Sequence, residues 1–247
     1  MRRPDEDPSI EGVVTPEFRV IHHLFHDFKG GLATIVMCLD AVREGMVGEV
    51  SPAQQRWLEK AERNCQHLAT LIDDFRDLSR IQDGCFATER EVMEPAAMLA
   101  TLSQEVAAEA SRRQIQVVFE VPDRLPGTCE ASPLVARVLH RAYGVLVDCT
   151  RTRGRLESRI VVEQASPHCW LRVEAKSEGV EMEVAALDSV FDLMDQTVRG
   201  LQLGRGYTLL FCRAAARFLS GDLSLRPWPG RGTCLDLRLP LGLPGEP

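Results

Sequence analysis

Residues 18–46 read FRVIHHLFHDFKGGLATIVMCLDAVREGM. Apolar side chains fall at Phe18, Ile21, Phe25, Phe28, Leu32, Ile35, Leu39, Val42 and Met46, with spacings that alternate between three and four. This is an unbroken a/d heptad seam on a helix of roughly 30 residues and about 45 Å. A stripe this narrow fits a bundle of parallel or antiparallel helices better than a helix laid on a sheet.

The stretch Gly45–Val50 ends that helix. Ser51-Pro52-Ala53-Gln54 then supplies an N-cap Ser, a Pro at the first helical position and a Gln at the third, the start of a capping box. A second seam follows at Leu58, Ala61, Cys65, Leu68, Ile72 and Phe75, widened by Leu71 and Leu78, and ends near Asp83-Gly84. Two helices cannot bury such seams alone, so a homodimer closing a four-helix bundle is the expected completion.

Beyond Gly84 the pattern becomes mixed. Strand-like runs occur at 85–92, 115–121, 160–164, 169–175, 222–226 and 233–239, with helical patterns at 95–112, 132–150, 185–194 and 206–219. The expected fold class is α+β: a charged tail over 1–16, a helical hairpin over 17–84, an α/β sandwich over 85–241 and a short tail over 242–247.

Composition narrows the function. The 247 residues are 45% hydrophobic and 26% charged, as in ordinary globular proteins. A net charge of −7 argues against nucleic acid as a partner. The longest uncharged apolar run, Gly30–Leu39, covers half a bilayer span, so no membrane insertion is expected. The N-terminus has no apolar signal segment, and the expected location is cytoplasmic. The eight cysteines include no C-x-x-C pair and read as reduced core residues rather than metal ligands.

In the heptad frame His26 falls at b and Asp27 at c, off the seam and toward solvent, within the run His26-Asp27-Phe28-Lys29-Gly30-Gly31-Leu32. A lone exposed histidine is ordinarily a solvated surface residue, as His22 and His23 are expected to be. An adjacent carboxylate sets His26 apart. A neutral imidazole is a competent nucleophile toward phosphorus near neutral pH. Asp27 can accept its other ring proton and stabilise the developing imidazolium, in the role of general base and orienting group. Gly30 and Gly31 each cost about 1 kcal/mol in mid-helix relative to Ala, which points to a bend or a close approach by another surface.

Here the chain resembles the sensor histidine kinase family, whose dimerisation and histidine-phosphotransfer domain residues 18–83 match in pattern. The resemblance implies that His26 is a phosphoacceptor and that a response-regulator receiver domain docks against Lys29, Gly30 and Gly31. Gly30 stands where the family carries a Thr or Asn used for phosphatase activity, and Gly31 where it carries a helix-bending Pro. Weak phosphatase activity is therefore expected.

Residues 85–241 resemble the family's ATP-binding domain. Residues 134–150 stand at its Asn-rich helix, 173–180 and 204–209 at its two glycine boxes, and 188–192 at its phenylalanine box. The chemistry-bearing positions have changed. Where the resemblance implies a Mg²⁺-binding Asn this chain has Val145, and for the box's other Asn it has Arg141. The usual Lys is Asp148, the adenine-reading Asp is Ala175, and a glycine is Ser177. Gly179, Gly204 and Gly206 remain. Glu174 and Glu178 are candidate replacements for the missing Asp.

These readings favour an ATP-independent histidine phosphotransferase in a two-component phosphorelay, with a vestigial nucleotide site, no metal site and no tightly bound cofactor. An ATP- and Mg²⁺-dependent kinase that phosphorylates itself at His26 is the alternative. A pseudokinase scaffold that binds a response regulator without chemistry is the third reading.

Overall fold

Ser51 closes a reciprocal cap. Its backbone N–H donates to Gln54 Oε1 at 2.9 Å, and the Gln54 N–H donates to Ser51 Oγ at 3.3 Å. Two orphan donors of the helix start are thereby satisfied, and Pro52 lacks a third. The computed structural model in which this cap is seen describes residues 16–165, 168–179 and 205–242. The chain divides into two compact units between Phe86 and Ala87.

The first unit is a hairpin of α1 (Pro16–Arg43) and α2 (Pro52–Gln82). Helix α1 runs through Gly30 and Gly31 without interruption, and a Cβ at either would meet nothing within 4 Å among the described residues. Phe25 packs edge-on against Phe75 with ring centroids 5.7 Å apart. Lys29 reaches Asp73 at one end of the pairing, and Arg43 reaches Glu62 at 2.7 Å at the other.

The seam is only partly covered. Leu32, Leu39 and Val42 are half-buried, whereas Phe28 and Ile35 are 55% and 49% exposed. The side chains of Phe18 and Ile21 lie outside the described set. One partner helix can cover only one flank of a two-sided stripe.

The second unit is a two-layer sandwich. Its main sheet contains β2 (Gln116–Glu120), β4 (Arg155–Ala165), β5 (His168–Glu178), β6 (Asp222–Trp228) and β7 (Gly232–Gly242), in the order β2-β4-β5-β7-β6. The β2–β4 pair is parallel and the rest are antiparallel. A separate antiparallel pair joins β1 (Glu91–Met93) to β3 (Cys129–Ala131). Strand β1 is shorter than the expected run 85–92, β4 begins five residues before the expected Ile160, and β3 has no counterpart among the expected strands. A three-residue strand has too few positions to display a period.

Helices α3 (Pro95–Arg112), α4 (Leu134–Cys149) and α5 (Arg205–Phe218) cover one sheet face. On that face Leu156, Ile160, Leu171, Val173, Leu235 and Leu237 are buried against Val138, Leu139, Leu146 and Phe211. Intervening residues such as Glu157, Arg172, Glu174 and Arg238 lie on the opposite, charged face. The expected helix at 185–194 and the phenylalanine-box match at 188–192 lie outside the described residues, as does Gly204.

Candidate phosphotransfer site and the nucleotide-site positions

His26 projects from the middle of α1 with its side chain 84% exposed, beside Asp27 at 79%. The His26 Nδ1 and Asp27 Oδ1 atoms are 3.7 Å apart. The carboxylate thus stands on the Nδ1 side of the ring, which leaves Nε2 turned away from it. The backbone beneath is held by contacts to α2 on both sides of His26, from Phe25 to Phe75 and from Lys29 to Asp73.

Ala33 and Met37 follow His26 by seven and eleven residues, two and three helical turns, and so share its stripe. They line a groove of about 720 Å³ between α1 and α2, together with Leu32, Val36, Cys65 and Ala69. Lys29 stands at one end of this mostly apolar groove and Met46 at the other.

In the second unit, two of the positions singled out by the resemblance, Val145 and Ala175, are buried in the core. Val145 on α4 is 4% exposed and Ala175 on β5 is fully buried, and neither side chain carries an oxygen that could ligate a cation. The Thr150 hydroxyl donates to the Leu146 carbonyl at 2.7 Å and lies 2.9 Å from Ser177 Oγ, which ties the end of α4 to β5. Asp148 is 3.4 Å from the Arg113 guanidinium, which also donates to the Val147 and Thr150 carbonyls at 2.6 and 3.0 Å. Arg113 therefore caps the helix C-terminus, a favourable place for a cation. Arg141 is half-buried on α4, and Gly206 is half-buried in the first turn of α5.

Glu174 and Glu178, the two carboxylates singled out beside Ala175, do not reach the face that Ala175 occupies. Glu174 and Glu178 alternate with Ala175 and Ser177 along β5 and occupy the opposite face. Glu174 pairs with Lys176 at 3.2 Å and Arg226 at 2.5 Å, and Glu178 with Arg151 at 3.2 Å. The hydrogen bond from Lys176, reinforced by Arg226, holds the Glu174 carboxyl below the usual range.

Glu174, Cys234 and Asp236 bring three possible metal-ligand atoms within 4.8 Å of one another. Arg226 donates to both carboxylates, at 2.5 and 2.7 Å, and burial pushes the Cys234 thiol up to about 11. The cluster is an ion-pair network whose negative charge is already matched.

The His Kinase A (phospho-acceptor) domain model matches residues 19–84. Over 199 residues the chain is 23% identical to the sensor protein GacS of Pseudomonas syringae pv. syringae, covering 78% of this chain and 22% of that protein. It is 27% identical to the sensor protein TorS of Escherichia coli (strain K12), covering 79% of this chain and 21% of that one. By these matches the chain carries a histidine kinase phospho-acceptor domain over residues 19–84 and is similar to sensor proteins over most of its length. It spans about a fifth of the length of these two relatives.

The fold is shared with a solved structure. The crystal structure of full-length ShkA in complex with AMPPNP superposes with a TM-score of 0.68 at 16% identity, over 94% of this chain and 47% of that one. The chain combines a helical hairpin with a mixed α/β sheet domain, the fold it shares with that structure. Among its described residues no helix is long and apolar enough to cross a membrane.

Two features of this chain are not legible in the sequence. The Lys29–Asp73 bridge joins residues 44 apart, and only the register of one helix on the other brings them together. The groove has only an indirect signal, in that small residues at Ala33, Ala41 and Ala69 leave room between helices that larger side chains would fill.

Proposed function

We propose that this chain is a phosphorelay protein in which His26 carries a phosphoryl group exchanged with the receiver aspartate of a response regulator, with no step through ATP. The carrying observation is a contrast: an open imidazole–carboxylate pair on α1, against buried Val145 and Ala175 at the positions that would hold Mg²⁺ and adenine. The residues present do not fit a magnesium nucleotide.

The His26 Nε2 lone pair attacks phosphorus and forms the N–P bond. The P–O bond to the receiver aspartate breaks, and that carboxylate leaves with the electron pair. Asp27 stabilises the Nδ1 proton of the resulting imidazolium. The receiver's own divalent cation stabilises the transferring phosphoryl group, so no metal is required on this chain.

The groove supports receiver docking, because it continues the stripe of His26 and offers apolar surface with charged ends. Gly30 and Gly31, where a Cβ would meet nothing beyond the helix's own backbone among the described residues, keep the approach low beside Lys29. The exposed seam residues Phe28, Ile35 and Leu68 support a homodimer, a second copy covering them. Gly30, in place of a Thr or Asn, supports weak phosphatase activity, so that label moves rather than appearing as inorganic phosphate.

The test is incubation of the full chain with radiolabelled ATP–Mg²⁺ and, separately, with a phosphorylated receiver domain, following label on His26. Label from the receiver and none from ATP is the expected result. Label from ATP would establish the kinase alternative. Label from neither, across the receivers of the same cell, would establish the scaffold.

A further inference from the structure

His26 and Lys29 are three residues apart on α1, a spacing that places their side chains on adjacent positions of one helix surface. The Lys29 ammonium does not turn toward His26. It crosses to α2, where it lies 3.0 and 3.2 Å from the two carboxylate oxygens of Asp73. Asp73 has a second cation in reserve: Arg76 is 3.7 Å from the same carboxylate and holds Asp77 at 3.1 Å.

The Lys29–Asp73 pair is partly open to solvent. A pair in that setting has little net worth, because water and salt compete for both charges. Lys29 can therefore change partners at small cost, and Arg76 keeps Asp73 compensated when it does. A phosphate monoester carries about −1.5 to −2 charges near neutral pH, more than one carboxylate. Lys29 is a cation on a flexible stem one helical turn from the ring that would carry such a group.

We propose that Lys29 is the charge-switching residue of the phosphotransfer site, paired with Asp73 while His26 is unmodified and with the phosphoryl oxygens once His26 is phosphorylated. This inference rests on the reading of His26 as the phosphoryl carrier. In the transfer itself Lys29 stabilises negative charge on the moving phosphoryl group. Its departure from Asp73 removes one of the ionic ties between α1 and α2, so phosphorylation also loosens the hairpin beside the docking surface.

Phosphoramidate serves as a small-molecule donor that removes the receiver from the experiment. His26 Nε2 forms the N–P bond as the P–N bond of phosphoramidate breaks, and ammonia leaves with that electron pair and takes up the proton released from Nδ1. Full-length wild type, Lys29→Met, Lys29→Arg, Asp73→Asn and His26→Ala are loaded and followed by phosphorus NMR, with a thermal melt as the folding control.

Lys29→Met is expected to load about tenfold more slowly than wild type and to lose most of the ionic-strength dependence of the rate. Lys29→Arg restores the rate to within about twofold, since charge and reach are kept. Asp73→Asn, which releases the ammonium, loads faster than wild type. Wild-type loading at His26 with an unchanged rate in Lys29→Met would overturn the charge-switch assignment alone. So would equal slowing in Lys29→Met and Asp73→Asn, the mark of a structural brace. Absence of loading at His26 in wild type would overturn the carrier reading and this assignment with it.

Discussion

A Cβ atom on Gly179 would stand 2.3 Å from the carbonyl oxygen of Cys149. Thr150 and Gly179 form an isolated bridge at this point, and Arg151 donates to the Glu178 carbonyl at 2.9 Å. Glycine at 179 is thus required by the approach of two backbones, independently of any ligand. Its neighbour Ser177 has become part of the packing through Thr150.

Gly179→Ala should therefore destabilise the second unit whether or not nucleotide is present. Contact with backbone atoms cannot be relieved by a rotamer change, and overpacking of this kind costs about 2–3 kcal/mol. Thermal unfolding should show a fall in Tm of about 4–10 °C. An unchanged Tm would show that the α4–β5 contact yields freely.

Calorimetric titration with ATP–Mg²⁺ should give no saturable heat at concentrations up to the millimolar range. Val145 offers no oxygen to the cation, and Ala175 no carboxylate to the base. Val145→Asn with Ala175→Asp tests the cause, and a gain of at least about tenfold in affinity is expected. A low-micromolar Kd for the unaltered chain would contradict the assignment.

Ile35→Asp should convert a dimer into a monomer at micromolar concentration. Ile35 is a seam position left open by its own hairpin, and an unpaired charge buried there costs roughly 3–5 kcal/mol per copy. Sedimentation equilibrium should show association weakened by more than about 100-fold. A folded wild-type monomer under the same conditions would remove the basis of the bundle.

Asp27→Asn should slow phosphoryl exchange on the order of 10²-fold while leaving the melting curve intact, because the amide cannot take up or stabilise the Nδ1 proton as a carboxylate does. His26→Ala should abolish exchange with the dimer preserved. Rapid-quench transfer from a phosphorylated receiver reads both. Wild-type rates in Asp27→Asn would leave His26 without an orienting partner.

Alkaline destabilisation should begin near pH 9. Burial pushes the Cys149 thiol up to about 11, despite the opposing charge of Arg113. In the unfolded chain the thiol ionises near its ordinary value, so between pH 9 and 11 the folded state binds more protons and stability falls as pH rises. The loss from Cys149 should reach about 2–3 kcal/mol by pH 11, read from denaturant titrations. At pH 8 the exposed Cys38 should be alkylated by iodoacetamide long before Cys149 or Cys234. Early labelling of Cys149 would contradict its burial.

The sequence by itself determined the two long helices, the cap at Ser51 and the outward station of His26. Heptad spacing and a four-residue capping box are written within one or two turns of chain, and their hydrogen bonds close locally. Helices α3, α4 and α5 were legible for the same reason. Tertiary structure alone decided where β5 points its glutamates. Alternation states that Glu174 and Ala175 face opposite ways, but only the packing of α4 on one side makes Ala175 the buried residue and sends Glu174 to Arg226. It also decided the pairing of β3 with β1, the tie between Thr150 and Ser177, and the bridge from Lys29 to Asp73. Each of these joins residues more than 25 positions apart, where the outcome depends on the register of one element on another. Local periodicity carries no information about that register.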